Sequence, residues 1–172
     1  MKLLQRSVGQ IIILLLSLAG IAITVYLTTV HYENVPLICS SHGVVDCGLV
    51  LASSYSVVPG TTIPITIPGL CWCLASAALA IIGWRFVAQR RWINTLQFIW
   101  SLAGLLAVLY LVYAEIVRLH TICAWCTALH VIILIIFLIT LLQLQQARAE
   151  EPEESGTLLD EEPALTTMRN QT

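Results

Sequence analysis

The sequence CAWCTALHVIILIIFLITLLQL, residues 123–144, places two cysteines three positions apart at the start of a long apolar run. No Asp, Glu, Lys or Arg interrupts the run after the second cysteine. A helix of this length, rising about 1.5 Å per residue, crosses the roughly 30 Å hydrocarbon core of a bilayer. We therefore predict a membrane-spanning helix over residues 122–144, with a pair of thiols at one membrane surface.

The composition of the whole chain is that of an integral membrane protein. Of its 172 residues, 58% are hydrophobic and only 10% are charged, and the mean hydropathy is +0.88. Further spans are predicted at about 8–30, 68–87 and 93–116, and the last three spans are joined by very short connectors that force antiparallel neighbours. The predicted fold is an all-α membrane protein: a four-transmembrane-helix bundle over residues 1–145, with one long loop at 31–67.

The distribution of basic residues predicts the orientation of the bundle, because Lys and Arg in short loops remain on the cytoplasmic side. The loop at 31–67 has no Lys or Arg, and the connector before span four has only Arg118. Both termini are therefore expected in the cytoplasm, and the long loop and Cys123 on the outer face. The basic residues on the inner side are Lys2, Arg6, Arg85, Arg90, Arg91 and Arg148.

Both ends of the chain have a second interpretation. Lys2 and Arg6 before an apolar run also fit a signal peptide, but the apolar run continues past Ala19 for longer than a signal peptide requires. At the other end, residues 146–172 are rich in Glu and Asp and poor in apolar residues, so we predict a disordered acidic cytoplasmic tail. The alternative for this tail is a docking segment for a cytoplasmic partner.

The topology places a first pair of cysteines, Cys39 and Cys47, in the outer loop, where oxidants maintain disulfides. Asp46 is a good N-cap for a short helix over residues 48–55, which puts Cys47 at a helix N-terminus, where a thiolate is stabilised. The alternative is a structural disulfide that only fastens the loop. Ser53 and Ser54 either orient these cysteines or form polar surface.

The second pair, Cys123 and Cys126, shares one face of the predicted helix, and Thr121 is its candidate N-cap. The alternatives are two buried apolar cysteines or half of a metal site. Cys71 and Cys73 point about 200° apart on a helix, so we predict buried small residues there rather than a third pair.

Two pairs of thiols on one membrane face can act as a relay, in which a thiolate of one pair attacks the disulfide of the other. In these residues the chain resembles the vitamin K epoxide reductase (VKOR) family, particularly its single-domain bacterial members. The resemblance covers about residues 8–144. It rests on the spacing of Cys39 and Cys47, the run from Asp46 to Tyr55, and CAWC at the start of span four.

The resemblance implies a four-helix bundle that encloses a quinone near the outer surface. It implies that Cys126 faces the quinone, that Cys123 exchanges with Cys47, and that Cys39 pairs with Cys47 and links to a partner protein. The implied acceptor is ubiquinone, menaquinone or vitamin K in a bacterial plasma membrane. The implied partner is a periplasmic thioredoxin-like oxidant, expected as a separate protein because the chain carries no fused thioredoxin-like domain.

His130 is the candidate quinone-binding residue, because it lies four residues beyond Cys126 on the same helical face. An ionisable group inside a membrane indicates a functional site, and this one could donate a hydrogen bond or proton to a quinone oxygen. The alternative is a histidine hydrogen-bonded between helices. Glu115, Arg118 and His120, at the outer edge of span three, are interpreted as interfacial charges, with proton supply as a lesser alternative.

Two other functions remain open at the level of sequence. Reduction of a quinone or of vitamin K epoxide would use the same relay with another substrate. A membrane carrier of soft metal ions would also use paired thiolates, but it needs ligands along a path across the bilayer, whereas these cysteines lie near the outer side. The other four-helix family of bacterial disulfide oxidases has its C-x-x-C in the first outer loop. The position of C-x-x-C at the start of span four argues against that family. We expect no metal cofactor and no nucleic-acid partner.

Overall fold

The computed structural model describes residues 2–33, 45–58, 60–85 and 90–149. These residues are almost entirely helical and include only two isolated β-bridges, which confirms the prediction of an all-α fold. The elements are α1 (Lys2–Glu33), α2 (Cys47–Ala52), a 3-10 turn (Ser54–Ser56), α3 (Thr66–Arg85), α4 (Arg90–Tyr113), a π-helical segment (Ala114–Leu119) and α5 (Ala124–Ala149).

Within the described residues, four helices are long and apolar enough to cross a membrane, as the sequence predicted. The third continues through the π-helical segment and is therefore longer than predicted. Helix α5 continues to Ala149, so residues 146–149 are helical rather than part of the predicted tail. The rest of that tail and Cys39 lie outside the described residues. The spans are Ser7–Glu33, Thr66–Arg85, Trp92–Leu119 and Ala124–Ala147.

Glycines bring neighbouring spans close together at two points. A Cβ on Gly20 would lie 2.8 Å from Cys73 Sγ, and a Cβ on Gly104 would lie 2.5 Å from the indole of Trp72. Small residues at helix contacts let backbones approach, which is the main source of packing energy between helices in lipid. Helix α1 accordingly packs most extensively on α3. Gly104 brings α4 close to α3, but α4 packs most extensively on α5.

A buried polar cluster joins three helices at the opposite end of the bundle from Cys123. Gln10 of α1 donates to Gln97 Oε1 of α4 at 3.1 Å and to Gln143 Oε1 of α5 at 2.9 Å, and Gln97 donates back to Gln10 Oε1 at 3.2 Å. Polar groups at membrane depth need partners inside the protein. The cluster therefore fixes α1 against the α4–α5 pair.

The outer loop, from residue 45 where its description begins, folds back onto the start of α5. Asp46 is the N-cap of α2, accepting the backbone N–H of Leu49 at 3.0 Å, which confirms the predicted short helix. The helix ends at Ala52, earlier than predicted, because Ser53 takes an extended conformation. Val45 pairs with Ile122 in a parallel bridge, and the Asp46 N–H donates to Ile122 O at 3.2 Å. This bridge holds α2 beside the C-x-x-C motif.

Candidate active site

Cys123 occupies the N-cap position of α5, since the helix begins at Ala124. Its Sγ accepts the backbone N–H of Cys126 at 3.3 Å, and its carbonyl accepts the backbone N–H of Thr127 at 2.9 Å. The prediction of Thr121 as N-cap is wrong. The Thr121 hydroxyl donates instead to Leu119 O, and the bridge at Ile122 keeps the chain extended until Cys123.

Hydrogen bonds to its sulfur favour the thiolate form of Cys123. The thiol of Cys126 donates to this sulfur and is the largest cause that lowers the Cys123 pKa, while burial opposes it. Backbone N–H groups of Cys126 and Trp125 add to the lowering. Donors at a helix N-terminus stabilise thiolates in this way, so Cys123 can serve as the nucleophile or as the leaving group of a thiol–disulfide exchange.

Cys47 and Cys123 lie in one buried apolar cluster with Val50. Cys47 is 1% exposed and Cys123 is fully buried, and Leu51 and Trp125 pack around them. Cys47 is disulfide-bonded, whereas Cys123 and Cys126 are free thiols. The predicted partner Cys39 lies outside the described residues. The loop thus brings one of its cysteines next to the first cysteine of the C-x-x-C motif.

Cys126 packs against this cluster and also lines the wall of a cavity between α1, the outer loop and the ends of α4 and α5. The walls are mainly apolar, and Glu115, His130, His31 and Tyr55 bring polar groups to them. An apolar cavity with a few polar groups next to a thiol of the C-x-x-C motif suits an aromatic ring with polar oxygens. The remaining lining residues are Leu27, Val50, Leu51, Ser56, Pro64, Ile65, Thr66, Leu111, Ala114 and Leu119.

His130 is buried, one helical turn beyond Cys126, and lines the same cavity. The structure thus brings His130 and Cys126 to one space, as their spacing on a helix face requires.

Glu115 is the residue whose position the sequence did not reveal. The interpretation as an interfacial charge is wrong, because its side chain is only 6% exposed. Its carboxylate accepts the backbone N–H of Cys123 and is an alternative acceptor to Cys123 Sγ for the single proton of the Cys126 thiol. It is the only acidic residue between positions 92 and 119, and that isolation was the available signal. Arg118, by contrast, is exposed and donates to the Tyr55 hydroxyl at 2.9 Å.

The π-helical segment explains how Glu115 reaches the cysteines. It ends at Leu119, and His120 is its C-cap. His120 adopts the left-handed conformation (φ 53) and donates its backbone N–H to Glu115 O. The Thr121 N–H also donates to Glu115 O, at 3.1 Å. Both Ala114 and Glu115 are buried in this segment. Such π-helical turns within α-helices are frequent at functional sites.

Cys71, Cys73, Ser53 and Ser54 belong neither to the buried cluster of Cys47 and Cys123 nor to the lining of the cavity. Cys71 and Cys73 are free thiols, so they form no third pair, and Cys73 is buried as predicted. Cys71 is exposed, which corrects its predicted burial: it lies on the opposite side of α3 from Cys73. The Ser53 hydroxyl donates to Val50 O at 2.7 Å and so caps α2. Among the described residues, no group of three or more His, Cys, Asp or Glu side chains could hold a metal ion.

A helical bundle with buried thiols beside an apolar cavity defines a class of multi-pass membrane redox proteins. The sequence profile of the Vitamin K epoxide reductase family matches residues 11–141, which include parts of all four spans and the whole outer loop. The chain therefore belongs to this family and is an oxidoreductase with a quinone-linked function in the membrane. A search of curated proteins found no significant match.

Proposed function

We propose that the protein is a thiol:quinone oxidoreductase that generates disulfides. It takes electrons from a separate, periplasmic thioredoxin-like protein and passes them through Cys39 and Cys47, then Cys123 and Cys126, to a membrane quinone. One observation carries the proposal: Cys47 shares a buried cluster with Cys123, while Cys126 lines the cavity. Cys123 is therefore the motif thiol buried with Cys47, and Cys126 is the motif thiol that lines the cavity.

The first transfer is thiol–disulfide exchange between the two pairs. The Cys47 thiolate attacks the Cys123 sulfur of a Cys123–Cys126 disulfide, and Cys126 leaves with the electron pair. Cys39 then attacks Cys47, which leaves a disulfide in the loop and two thiols in the motif. Burial of Cys47 and Cys123 supports this step, because it keeps water and unrelated thiols away from the mixed disulfide.

The second transfer returns Cys123 and Cys126 to a disulfide. Their two S–H bonds break, one S–S bond forms, and two electrons and two protons leave. A bound quinone supplies the acceptor for both electrons and both protons. The apolar walls fit its ring, and we assign His130 to a hydrogen bond with one of its oxygens.

The orientation proposed for this relay puts the outer loop in the periplasm and both termini in the cytoplasm of a bacterium. It is supported by the sequence bias of Lys and Arg, which are absent from residues 31–67 and cluster at the other ends of the spans. A periplasmic location makes the loop accessible to an extracytoplasmic protein thiol.

The test is an assay with purified protein, a reduced thioredoxin-like protein and ubiquinone or menaquinone, followed by quinone absorbance. We expect reduction by the wild type, its loss in Cys126→Ala, and its retention in Cys71→Ala, a control that removes an exposed thiol. Undiminished reduction by Cys126→Ala would overturn the proposal. Turnover with vitamin K epoxide and not with either quinone would favour the epoxide reductase alternative.

A further inference from the structure

Glu115 is a buried carboxylate in contact with both members of the C-x-x-C motif. It accepts the Cys123 backbone N–H, lies within hydrogen-bonding reach of the Cys126 thiol, and lines the cavity beside Cys126. Removing a carboxylate from water is costly unless it is hydrogen-bonded or protonated. Its position therefore raises the question of whether it handles the thiol proton.

We propose that Glu115 is a catalytic residue that accepts the proton of the Cys126 thiol when the motif is oxidised, and returns it when the motif is reduced. The assignment of these two directions rests on the relay proposed above. The contact with the Cys126 sulfur is itself independent of which oxidant is used.

The proton balance gives Glu115 a defined task in each direction. During oxidation, the Cys126 S–H bond breaks as the Cys123–Cys126 bond forms, the electron pair passes to the quinone, and the proton moves to Glu115. From Glu115 it passes into the cavity, where it becomes one of the two protons of the quinol. During reduction, Cys47 bonds to Cys123, Cys126 leaves with the electron pair, and protonated Glu115 supplies its proton.

Other titratable groups near this site do not occupy the same position. His130 on α5, His31 on α1 and Tyr55 on the outer loop line the same cavity, and Cys123 caps α5. Arg118 is on the same segment as Glu115, but it is exposed and bonded to Tyr55. Glu115 is the carboxylate among the described residues whose contacts include the Cys126 thiol.

A structural role is the competing explanation, since the carboxylate also accepts the Cys123 N–H and so helps to fix the turn before α5. Glu115→Gln separates the two roles. Its amide oxygen can still accept the N–H, but it cannot take up a proton at any working pH. Glu115→Asp keeps the carboxylate and shortens its reach.

The test measures oxidation of the Cys123–Cys126 dithiol without any quinone. The oxidant is a small aromatic disulfide, and the protein carries Cys71→Ala to remove the exposed thiol. We expect a plateau in the wild-type rate near neutral pH. We expect Glu115→Gln to be about 100-fold slower there, with a rate that rises about tenfold per pH unit because hydroxide must replace the base. Glu115→Asp should be oxidised at least about tenfold faster than Glu115→Gln near neutral pH.

The control is Glu33→Gln, which removes an exposed carboxylate at the outer end of α1 and should follow the wild-type profile. The pH profile of His130→Gln should keep the wild-type plateau, which excludes the cavity histidine as its source. An unchanged profile in Glu115→Gln overturns the proposal. If that variant does not fold, a wild-type rate that already rises about tenfold per pH unit overturns it equally.

The outcomes also separate this inference from the proposed function. Absence of quinone reduction by the wild type, together with a Glu115-dependent oxidation profile, would reject the quinone as acceptor and retain the proton role. Normal quinone reduction with the same pH profile in Glu115→Gln would reject the proton role alone.

Discussion

The Sγ of Cys123 accepts the backbone N–H of Cys126 at 3.3 Å, so the first thiol of the motif caps the helix that carries the second. A sulfur in this position is stabilised as a thiolate by the helix N-terminus. It also faces Cys47, while Cys126 faces the cavity. The two thiols are thus chemically distinct although they are only three residues apart.

The pH dependence of Cys123 reactivity tests this cap. The donor thiol of Cys126 is the largest cause of its lowered pKa, so Cys126→Ala should shift the alkylation profile of Cys123 to higher pH. A lower pKa means that the thiolate persists to lower pH, and loss of the donor reverses this. Cys126→Ser retains a hydroxyl donor and should shift the profile less. Alkylation by a small reagent, followed by peptide mass spectrometry, gives the midpoint. Equal midpoints in Cys126→Ala and the wild type would contradict the assignment.

The buried contact of Cys47 with Cys123 predicts a trapped disulfide. In a Cys39→Ala, Cys126→Ala protein, mild oxidation should link Cys47 to Cys123, because each lacks its own resolving thiol. Proteolysis and mass spectrometry would identify the linked peptide. Cys71, which lies outside the cluster, serves as the internal control and should remain unlinked. A mixture in which Cys71 crosslinks as readily as Cys123 would argue against the relay.

His130 should affect quinone binding more than electron transfer between thiols. We expect His130→Leu to raise the KM for quinone by about fivefold, which corresponds to the loss of one hydrogen bond of about 1 kcal/mol. His130→Gln, which retains a donor, should lose less. His120→Asn is the matched control, because His120 is exposed and Asn tolerates its left-handed backbone. Unchanged KM in His130→Leu would remove His130 from the quinone site.

Local signals in the sequence were sufficient to predict the spans and the cap of α2. Uninterrupted apolar runs determine membrane-spanning helices, and Asp46 caps a helix through a contact only three residues away. Thr121 failed as a cap for a non-local reason: the outer loop pairs with Ile122 and delays the helix to Ala124. A bridge between residues so distant in sequence leaves no pattern in either segment.

The burial of Glu115 in the candidate site is likewise not predictable from local sequence. Its burial depends on the π-helical segment and on the left-handed turn at His120, which together direct its carboxylate toward the cysteines. Neither feature has a residue pattern that distinguishes it from an ordinary helix end. In the sequence, a lone acidic residue near the end of a span is therefore indistinguishable from an interfacial charge.

The glutamine cluster should contribute to the stability of the bundle. Gln10→Leu would leave Gln97 and Gln143 without their shared partner, and we expect a loss of about 1–2 kcal/mol in the free energy of unfolding. Unfolding in mixed detergent micelles measures this loss. Gln146→Leu is the control, since Gln146 is exposed on the same helix as Gln143. Equal stability of the two variants would show that the cluster adds nothing to packing.

The N-cap of α2 should control how often Cys47 meets Cys123. Asp46→Ala removes the acceptor for the Leu49 N–H and costs about 1 kcal/mol of local helix stability. Because α2 carries Cys47 and Val50 against Cys123, that cost should lower the ratio of docked to undocked loop about fivefold. The rate of Cys47–Cys123 crosslinking in the Cys39→Ala, Cys126→Ala protein reports this population directly. Asp46→Asn, which still accepts the Leu49 N–H, should crosslink at nearly the original rate. If both substitutions slowed crosslinking equally, the charge of Asp46 rather than its cap would be the feature that docks the loop.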